Sequence, residues 1–200
     1  ALVVDLDGTL VRSDLTFEML ALCLRWQPFV FIFLAVKFCF RKAGAKRSLA
    51  LRFADRVDLE TLPYEPSVIA LIKQAQGDGR PIALVSGSDH LLVTRIAERF
   101  GISLAKGSEP GANLVAAEKA RYLNAMFDDG FEYIGNSQAD YPVWRAGRGG
   151  YGVRAPKPAY HLTRTDGSEV AVKALAERQS LIRPLLTTMR PHQWTKNLLL

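Results

Sequence analysis

The 200-residue chain carries 26 Lys and Arg against 20 Asp and Glu, a formal charge of +6, with 48% hydrophobic and 23% charged residues. This balance excludes a disordered chain and fits one α/β domain with an insertion or tail. The positive charge suits phosphorylated substrates, an anionic membrane surface or nucleic acid, and does not choose among them.

In chain order, Leu2 to Asp5 is a short apolar run ending at a Gly turn, which reads as a buried parallel strand. The chain starts inside that run without Met or a basic leader, so no cleavable signal peptide is expected and the sequence reads as a piece of a longer protein. Residues 14–62 then interrupt the pattern with a helical, apolar and basic segment, expected to be an inserted cap. From Met19 to Phe40 it is strongly apolar, yet Arg25, Gln27, Pro28 and Lys37 break it before Arg41-Lys42. A spanning helix needs about 20 apolar residues, so a helical hairpin broken near Pro28, buried or interfacial, is expected instead. Arg41, Lys42, Lys46, Arg47 and Arg52 either meet anionic headgroups or form a solvated basic face. Cys23 and Cys39 lie in this stretch with no further cysteine and no nearby His, which argues against a disulfide framework or a zinc site and for a reducing cytosolic compartment.

Helix-period stretches follow at Glu65 to Gln76, His90 to Phe100 and Val115 to Phe127, separated by strand-like runs at Pro81 to Val85 and Phe131 to Ile134. Strands alternating with helices predict a Rossmann-like, doubly wound, mostly parallel sheet with its site beyond the strand C-termini. The core is expected over 1–13 and 63–155. A linker and a helix from about Glu169 to Met189 are expected within 156–189. Residues 190–200 join Arg190, Trp194 and Lys196 to Leu198-Leu199-Leu200, the pattern of interfacial anchors before a membrane helix.

The chemistry-bearing residues cluster after the strands. Asp5, at the end of the first, can attack phosphorus and form an aspartyl-phosphate. Asp7, two residues on, is placed to protonate the leaving oxygen and then activate water. Gly8 permits the tight turn, and Mg²⁺ lets an anionic carboxylate approach an anionic phosphate. Asp5-Leu6-Asp7-Gly8-Thr9 resembles motif I of the haloacid dehalogenase (HAD) superfamily, and the other motifs follow in order. Ser86 in Val85-Ser86-Gly87-Ser88 matches the family's phosphate-holding hydroxyl, with Gly87 and Thr9 beside it as phosphate-binding positions. Lys119 matches the family's phosphate-neutralising lysine, with Arg121 as a weaker competitor. Gly135-Asn136-Ser137-Gln138-Ala139-Asp140 resembles motif IV, commonly Gly-Asp-x-x-x-Asp, so the resemblance implies Mg²⁺ held by Asp5, the Asp7 carbonyl and Asn136 or Asp140, with waters. Asn136 stands where the family usually has an acid; its amide oxygen can coordinate but brings no charge.

Asp7 argues for phosphoryl transfer over carbon–halogen cleavage, since haloacid dehalogenases proper do not need the second acid. The cap position resembles phosphoserine-phosphatase-like members, although its aromatic and aliphatic content suits a small zwitterion poorly. Arg190-Pro191-His192-Gln193-Trp194-Thr195-Lys196-Asn197 resembles the opening of UbiA-type polyprenyl transferases, especially the decaprenyl-phosphate phosphoribosyltransferase branch. Together these imply a HAD phosphatase fused to a membrane transferase at the cytoplasmic face of the membrane, acting on a phosphorylated, lipid-linked sugar. Two alternatives stay open: a catalytically weak HAD-like domain that docks or regulates the transferase, and a soluble phosphoserine-type phosphatase. Nucleic acid is not expected, because the basic residues are interleaved with apolar ones and no recognition motif appears.

Overall fold

The computed structural model describes residues 1–40, 42–109 and 114–176. Its centre is a six-stranded parallel sheet in the order β3-β2-β1-β4-β5-β6. The strands are β1 (Leu2–Val4), β2 (Ile82–Asp89), β3 (Leu104–Ser108), β4 (Glu132–Gly135), β5 (Gly150–Val153) and β6 (Val172–Ala176). Val4 of β1 stands in register with Leu84 of β2 and Ile134 of β4, so Asp5, Val85 and Gly135 stand side by side where β1 ends, while β2 runs on to Asp89. The chain runs outward from β1 to β3, then returns to the other side of β1 with β4. That reversal opens a crevice beyond the strand C-termini, where ligands of such sheets bind.

Alternation along β1 divides the interior. Leu2 and Val4 face one apolar cluster with Leu84, Ile134, Ile72 and Ile96; Val3 faces another with Ala83, Val85, Tyr133 and Trp144. Burial on both faces is why these strands read as continuous apolar runs. Helices α4 (Pro66–Gly77) and α5 (His90–Arg99) pack on the first cluster, and α6 (Ala117–Met126) and α7 (Tyr141–Ala146) on the second. In α5 the apolar Leu92, Val93, Ile96 and Ala97 are buried, and Asp89 caps the helix by accepting from Leu91 N at 3.1 Å.

Between β1 and α4 the chain inserts three short helices, α1 (Leu15–Trp26), α2 (Pro28–Phe40) and α3 (Lys42–Phe53), with a 3₁₀ turn at Ala54–Arg56. Asp14 caps α1 through Thr16 N at 2.7 Å, and the break falls at Gln27, so that α2 starts on Pro28, which lacks the N–H a first helical turn leaves unpaired anyway. The expected hairpin is thus a three-helix cap. Leu15, Met19, Cys23, Leu34, Leu49 and Phe53 join the first core cluster, so the cap is packed onto the sheet domain.

The far end of the sheet differs from expectation. The stretch after Val153 is not a linker leading to a helix at Glu169: Lys157–His161 form a 3₁₀ turn and Val172–Ala176 pair with β5 as the edge strand. Val172 and Val170 are buried while Lys173 and Ala174 face out, and this short run carries no clean period to announce a strand. The remainder of the expected helix, the tail from Arg190 to Leu200, Arg41, and the side chains of Cys39 and Lys42 lie outside the described residues. Among those described, no helix is long and apolar enough to cross a membrane.

Candidate active site

Asp5 follows directly on β1 and is buried, its backbone N held by Ile134 O at 3.0 Å. Lys119 of α6 reaches under the sheet end from the other side and donates to Asp5 Oδ1 at 2.8 Å. The same ammonium donates to the Tyr133 hydroxyl at 2.9 Å, and that hydroxyl donates to Asp140 Oδ1 at 2.6 Å. Asp140 Oδ1 lies 3.8 Å from Lys119 Nζ. One cation therefore faces two carboxylates in a buried network, with a neutral phenol as the bridge. Burial raises the Asp5 carboxyl from 3.8 to about 6, despite Lys119 beside it. Burial likewise, with the negative charges of Asp140 and Asp5, pushes the Tyr133 phenol well above its usual range, so it stays a donor.

Asp7 sits on the turn after Asp5. Its Oδ1 accepts from Leu15 N at 2.9 Å, and its Oδ2 accepts from the buried Ser88 hydroxyl. The turn depends on Gly8, whose φ of +71° disfavours other residues and whose missing Cβ would stand 2.1 Å from Asn136 Nδ2. Asn136 thus lies directly on the Asp7-Gly8 turn. Burial raises the Asp7 carboxyl above its ordinary value, against the pull of its bonds from Leu15 and Ser88. Behind the turn, Arg154 donates to Gly8 O at 3.3 Å and to Glu65, which also accepts from Arg12 Nε at 3.1 Å and Ser67 Oγ at 3.0 Å. Burial favours a protonated Glu65, but the bonds from Arg154, Arg12 and Ser67 together draw its carboxyl below the usual value.

The structure brings most of the expected residues together. Ser86 is buried in the part of β2 that runs past the end of β1, its Oγ accepting from Ser88 N at 3.2 Å. Gly87 has a packing reason of its own, because a Cβ there would stand 2.9 Å from Val115 Cγ2, on the segment that leads into α6 and Lys119. Thr9 is fully buried with a hydroxyl that has no hydrogen-bond partner among the described residues. Arg121, the competitor of Lys119, is exposed and pairs with Glu118 on the helix surface, so it is not part of the site. Arg47, grouped with headgroup-binding residues in the sequence, instead reaches from α3 to the buried Asp89 at 2.9 Å and ties the cap to the end of β2.

Asp140, expected among the metal ligands, has hydrogen-bond donors on both carboxylate oxygens. Besides the Tyr133 bond on Oδ1, its Oδ2 accepts from Asn136 N at 3.1 Å, Ser137 N at 2.9 Å and Ser137 Oγ at 2.9 Å. The protein uses both oxygens to fold the Gly135-to-Asp140 loop, and Gly135 lets Tyr133 and Asp140 meet, since a Cβ there would stand 2.6 Å from Tyr133 Cε1. Among the described residues no three His, Cys, Asp or Glu side chains group as a metal cluster. Mg²⁺ commonly takes only one or two carboxylates, completing its octahedron with water and phosphate. Asp5, Asp7 and the Asn136 amide on the Gly8 turn are hard-oxygen donors of that kind, so the site suits a hard divalent cation held sparsely.

Two site residues were missed by sequence reasoning. Tyr133 looked like an ordinary inward strand residue; the signal available was a phenol two positions before the Gly135-Asn136 turn. Ser88 was visible in Ser86-Gly87-Ser88, but two serines one residue apart on a strand end give no sign of which face the carboxylate.

Residues 2–145 match the family model described as haloacid dehalogenase-like hydrolase. Among individual proteins, y4nM of Sinorhizobium fredii, an uncharacterised protein, is 32% identical over all 200 residues of this chain, which spans 38% of its length. Among solved structures, a protein of unknown function from Bordetella pertussis superposes with a TM-score of 0.59 at 15% identity, covering 86% of this chain and 97% of that one. A substrate-bound phosphoserine phosphatase superposes with a TM-score of 0.57 at 15% identity, covering 93% and 97%. At such identities the likeness is one of fold.

Proposed function

Since the chain belongs to the haloacid dehalogenase-like hydrolases, we propose that it is a Mg²⁺-dependent phosphatase in which Asp5 is the phosphate-accepting nucleophile. The observation that carries this reading is the 2.8 Å contact of Lys119 with Asp5 at the C-terminal end of the central strand. A buried carboxylate needs a counter-charge to stay ionised, and an ammonium in that position also offsets the charge of an incoming phosphate.

In the first step an Asp5 oxygen bonds to phosphorus as the substrate's P–O bond breaks, and the departing oxygen takes a proton from Asp7. In the second, water attacks the aspartyl-phosphate, the Asp5 O–P bond breaks, and the water's proton passes to Asp7. Burial, which raises the Asp7 carboxyl, favours the acid role in the first step. Asp7 has to exchange its Ser88 bond for the leaving oxygen, which makes Ser88 its positioning residue. Ser86 offers a buried hydroxyl to a phosphate oxygen, with the Gly87 backbone next to it on β2 and the Thr9 hydroxyl, unpartnered among the described residues, on the turn after Asp7. When bound, Mg²⁺ would supply the positive charge that lets carboxylate and phosphate meet, with Asp5, the Asp7 carbonyl and Asn136 to hold it and Asp140 orienting Asn136 from behind.

The substrate class that fits best is a phosphorylated, lipid-linked sugar such as a polyprenyl-phosphoryl phosphoribose, met at the cytoplasmic face of a membrane. Its support is the UbiA-like run at Arg190 to Asn197 and the apolar cap, which begins beside the site where Leu15 N donates to Asp7. Purified protein with Mg²⁺ is expected to release phosphate from an aryl phosphate, and Asp5→Asn to abolish it. Turnover without Mg²⁺, or full activity in Asp5→Asn, would overturn the mechanism. Activity on phosphoserine without lipid would redirect the substrate assignment.

A second reading has an observation of its own: Asn136 lacks the usual charge, and both Asp140 oxygens are occupied. A docking or regulatory domain would bind neither Mg²⁺ nor beryllium fluoride, whereas the phosphatase binds both, so a calorimetric titration separates the two.

A further inference from the structure

Helix α2 turns an apolar stripe to solvent. Phe29 (86% exposed), Ile32 (60%), Phe33 (67%) and Val36 (56%) stand at i, i+3, i+4 and i+7, the spacing of a single helix face, while Leu34 on the other side is buried. In a helix that simply covers a core, that outer face is polar. Leu51 of α3 shares a groove with Phe33, and Leu24 and Trp26 at the end of α1, just before α2 begins, are also mostly exposed. Between α2 and α3 runs a groove of about 310 Å³, walled by Val30, Phe33, Leu34 and Leu51 and headed by Ser48 and Arg52. A contiguous apolar surface of this kind marks an interaction site.

Charge decides what covers it. Between Leu15 and Phe53 the sequence holds seven Lys and Arg and a single acid, Glu18. Arg25 and Arg56 place their guanidinium groups 5.8 and 5.6 Å from the Trp26 ring centroid, so cations stand around the aromatic corner where α1 meets α2. A second copy would bring the same excess of positive charge against its own, a repulsion that opposes a symmetric interface. An anionic lipid surface answers both features, taking aromatic and aliphatic side chains into the acyl boundary and the arginines among the headgroups.

We propose that the outward face of α2, with the Trp26 corner, docks this domain on an anionic membrane surface. The reading of a lipid-linked substrate gives this docking its purpose, and the proposal rests on that reading only there. With α2 lying in the interface, the cap is held at the headgroup level. The docking face and the Asp5 site belong to different residues, so the two can be tested separately.

The 200-residue chain is sedimented with vesicles of phosphatidylcholine alone and of phosphatidylcholine mixed with phosphatidylglycerol, at low and high salt. Expected are preferential binding to the anionic vesicles, weakening with salt, and a loss of at least about tenfold in partitioning for Phe29→Ser/Phe33→Ser. Arg25→Glu/Arg52→Glu is expected to erase the preference for phosphatidylglycerol. These side chains are on the surface, and aryl phosphate hydrolysis in solution should be unchanged in both variants. Vesicle binding that survives Phe29→Ser/Phe33→Ser would overturn the proposal, as would no binding by the unaltered chain. A solution dimer that Phe29→Ser/Phe33→Ser dissolves would assign the face to a second copy instead. Absence of phosphatase activity in the unaltered chain would count against the catalytic reading and leave the vesicle result to decide the docking.

Discussion

Replacing Tyr133 with Phe removes a single oxygen from the centre of the buried network while keeping the ring that packs edge-on against Trp144. The phenol accepts from Lys119 at 2.9 Å and donates to Asp140 at 2.6 Å, so both bonds vanish together. Each involves a charged partner and would contribute about 1.5–3 kcal/mol if its loss stranded that partner. Neither partner is stranded: Lys119 keeps Asp5 at 2.8 Å, and Asp140 keeps three donors on Oδ2. The net cost is therefore expected at about 1–2 kcal/mol, a fall in Tm of about 2–8 °C for a domain of this size. Lys119 also loses its second anchor, so phosphate release should drop about tenfold through kcat, with KM less affected. Thermal unfolding followed by circular dichroism and steady-state phosphate release on the same preparation give the two numbers. An unchanged Tm with unchanged kcat would show that the Tyr133 hydroxyl does not tie Lys119 to Asp140.

Asp5→Asn should separate stability from activity. The folded protein raises the Asp5 carboxyl from 3.8 to about 6, so Asp5 contributes stability below pH 3.8 that is lost as the pH rises through about 6. Asparagine does not titrate, and the metal-free variant is expected to match the unaltered protein near pH 4 and to exceed it above pH 6. The two-unit shift bounds the gain at about 3 kcal/mol; urea unfolding at both pH values measures it, and an equal gap at both would refute the assignment. Ser88→Ala leaves Asp7 Oδ2 without its hydroxyl donor. Turnover should fall with KM nearly constant, and because loss of the Ser88 bond raises the Asp7 carboxyl, the alkaline limb of the pH–rate profile should move to higher pH; an unchanged profile would remove Ser88 from the positioning of Asp7.

Much of the fold was legible because β1, β2 and β4 are buried on both faces and so appear as unbroken apolar runs. Asp5, Ser86 and the Gly135-Asn136 turn follow those runs directly, which is why they could be placed at one end of a parallel sheet. β3, β5 and β6 were not legible. Leu104 is partly exposed at an edge, β5 is built on Gly150 and Gly152, and β6 alternates too briefly, so their strand character comes from pairing and not from their own composition. The cap was legible as helical from its apolar content and Pro28, but not its division into three helices or the outward face of α2, since a helix apolar on all sides does not reveal which side the core takes.

The sequence by itself determined the order of the strands' apolar runs and the reactive residue types at their ends: Asp5 and Asp7 on one turn, a lysine on the following side of the sheet, and an amide in place of an acid at Asn136. Only the tertiary structure decided which of those groups meet. Lys119 rather than Arg121 reaches Asp5 because the buried face of α6 is turned under the strand end, and Asp140 serves Tyr133 and its own loop because Gly135 lets them approach. Arg47 pairs with Asp89 because α3 folds back over β2. Residue type and spacing travel with the chain, whereas burial, counter-charge and hydrogen-bond partners across more than a hundred residues, as between Lys119 and Asp5, exist only once the sheet has closed on its helices.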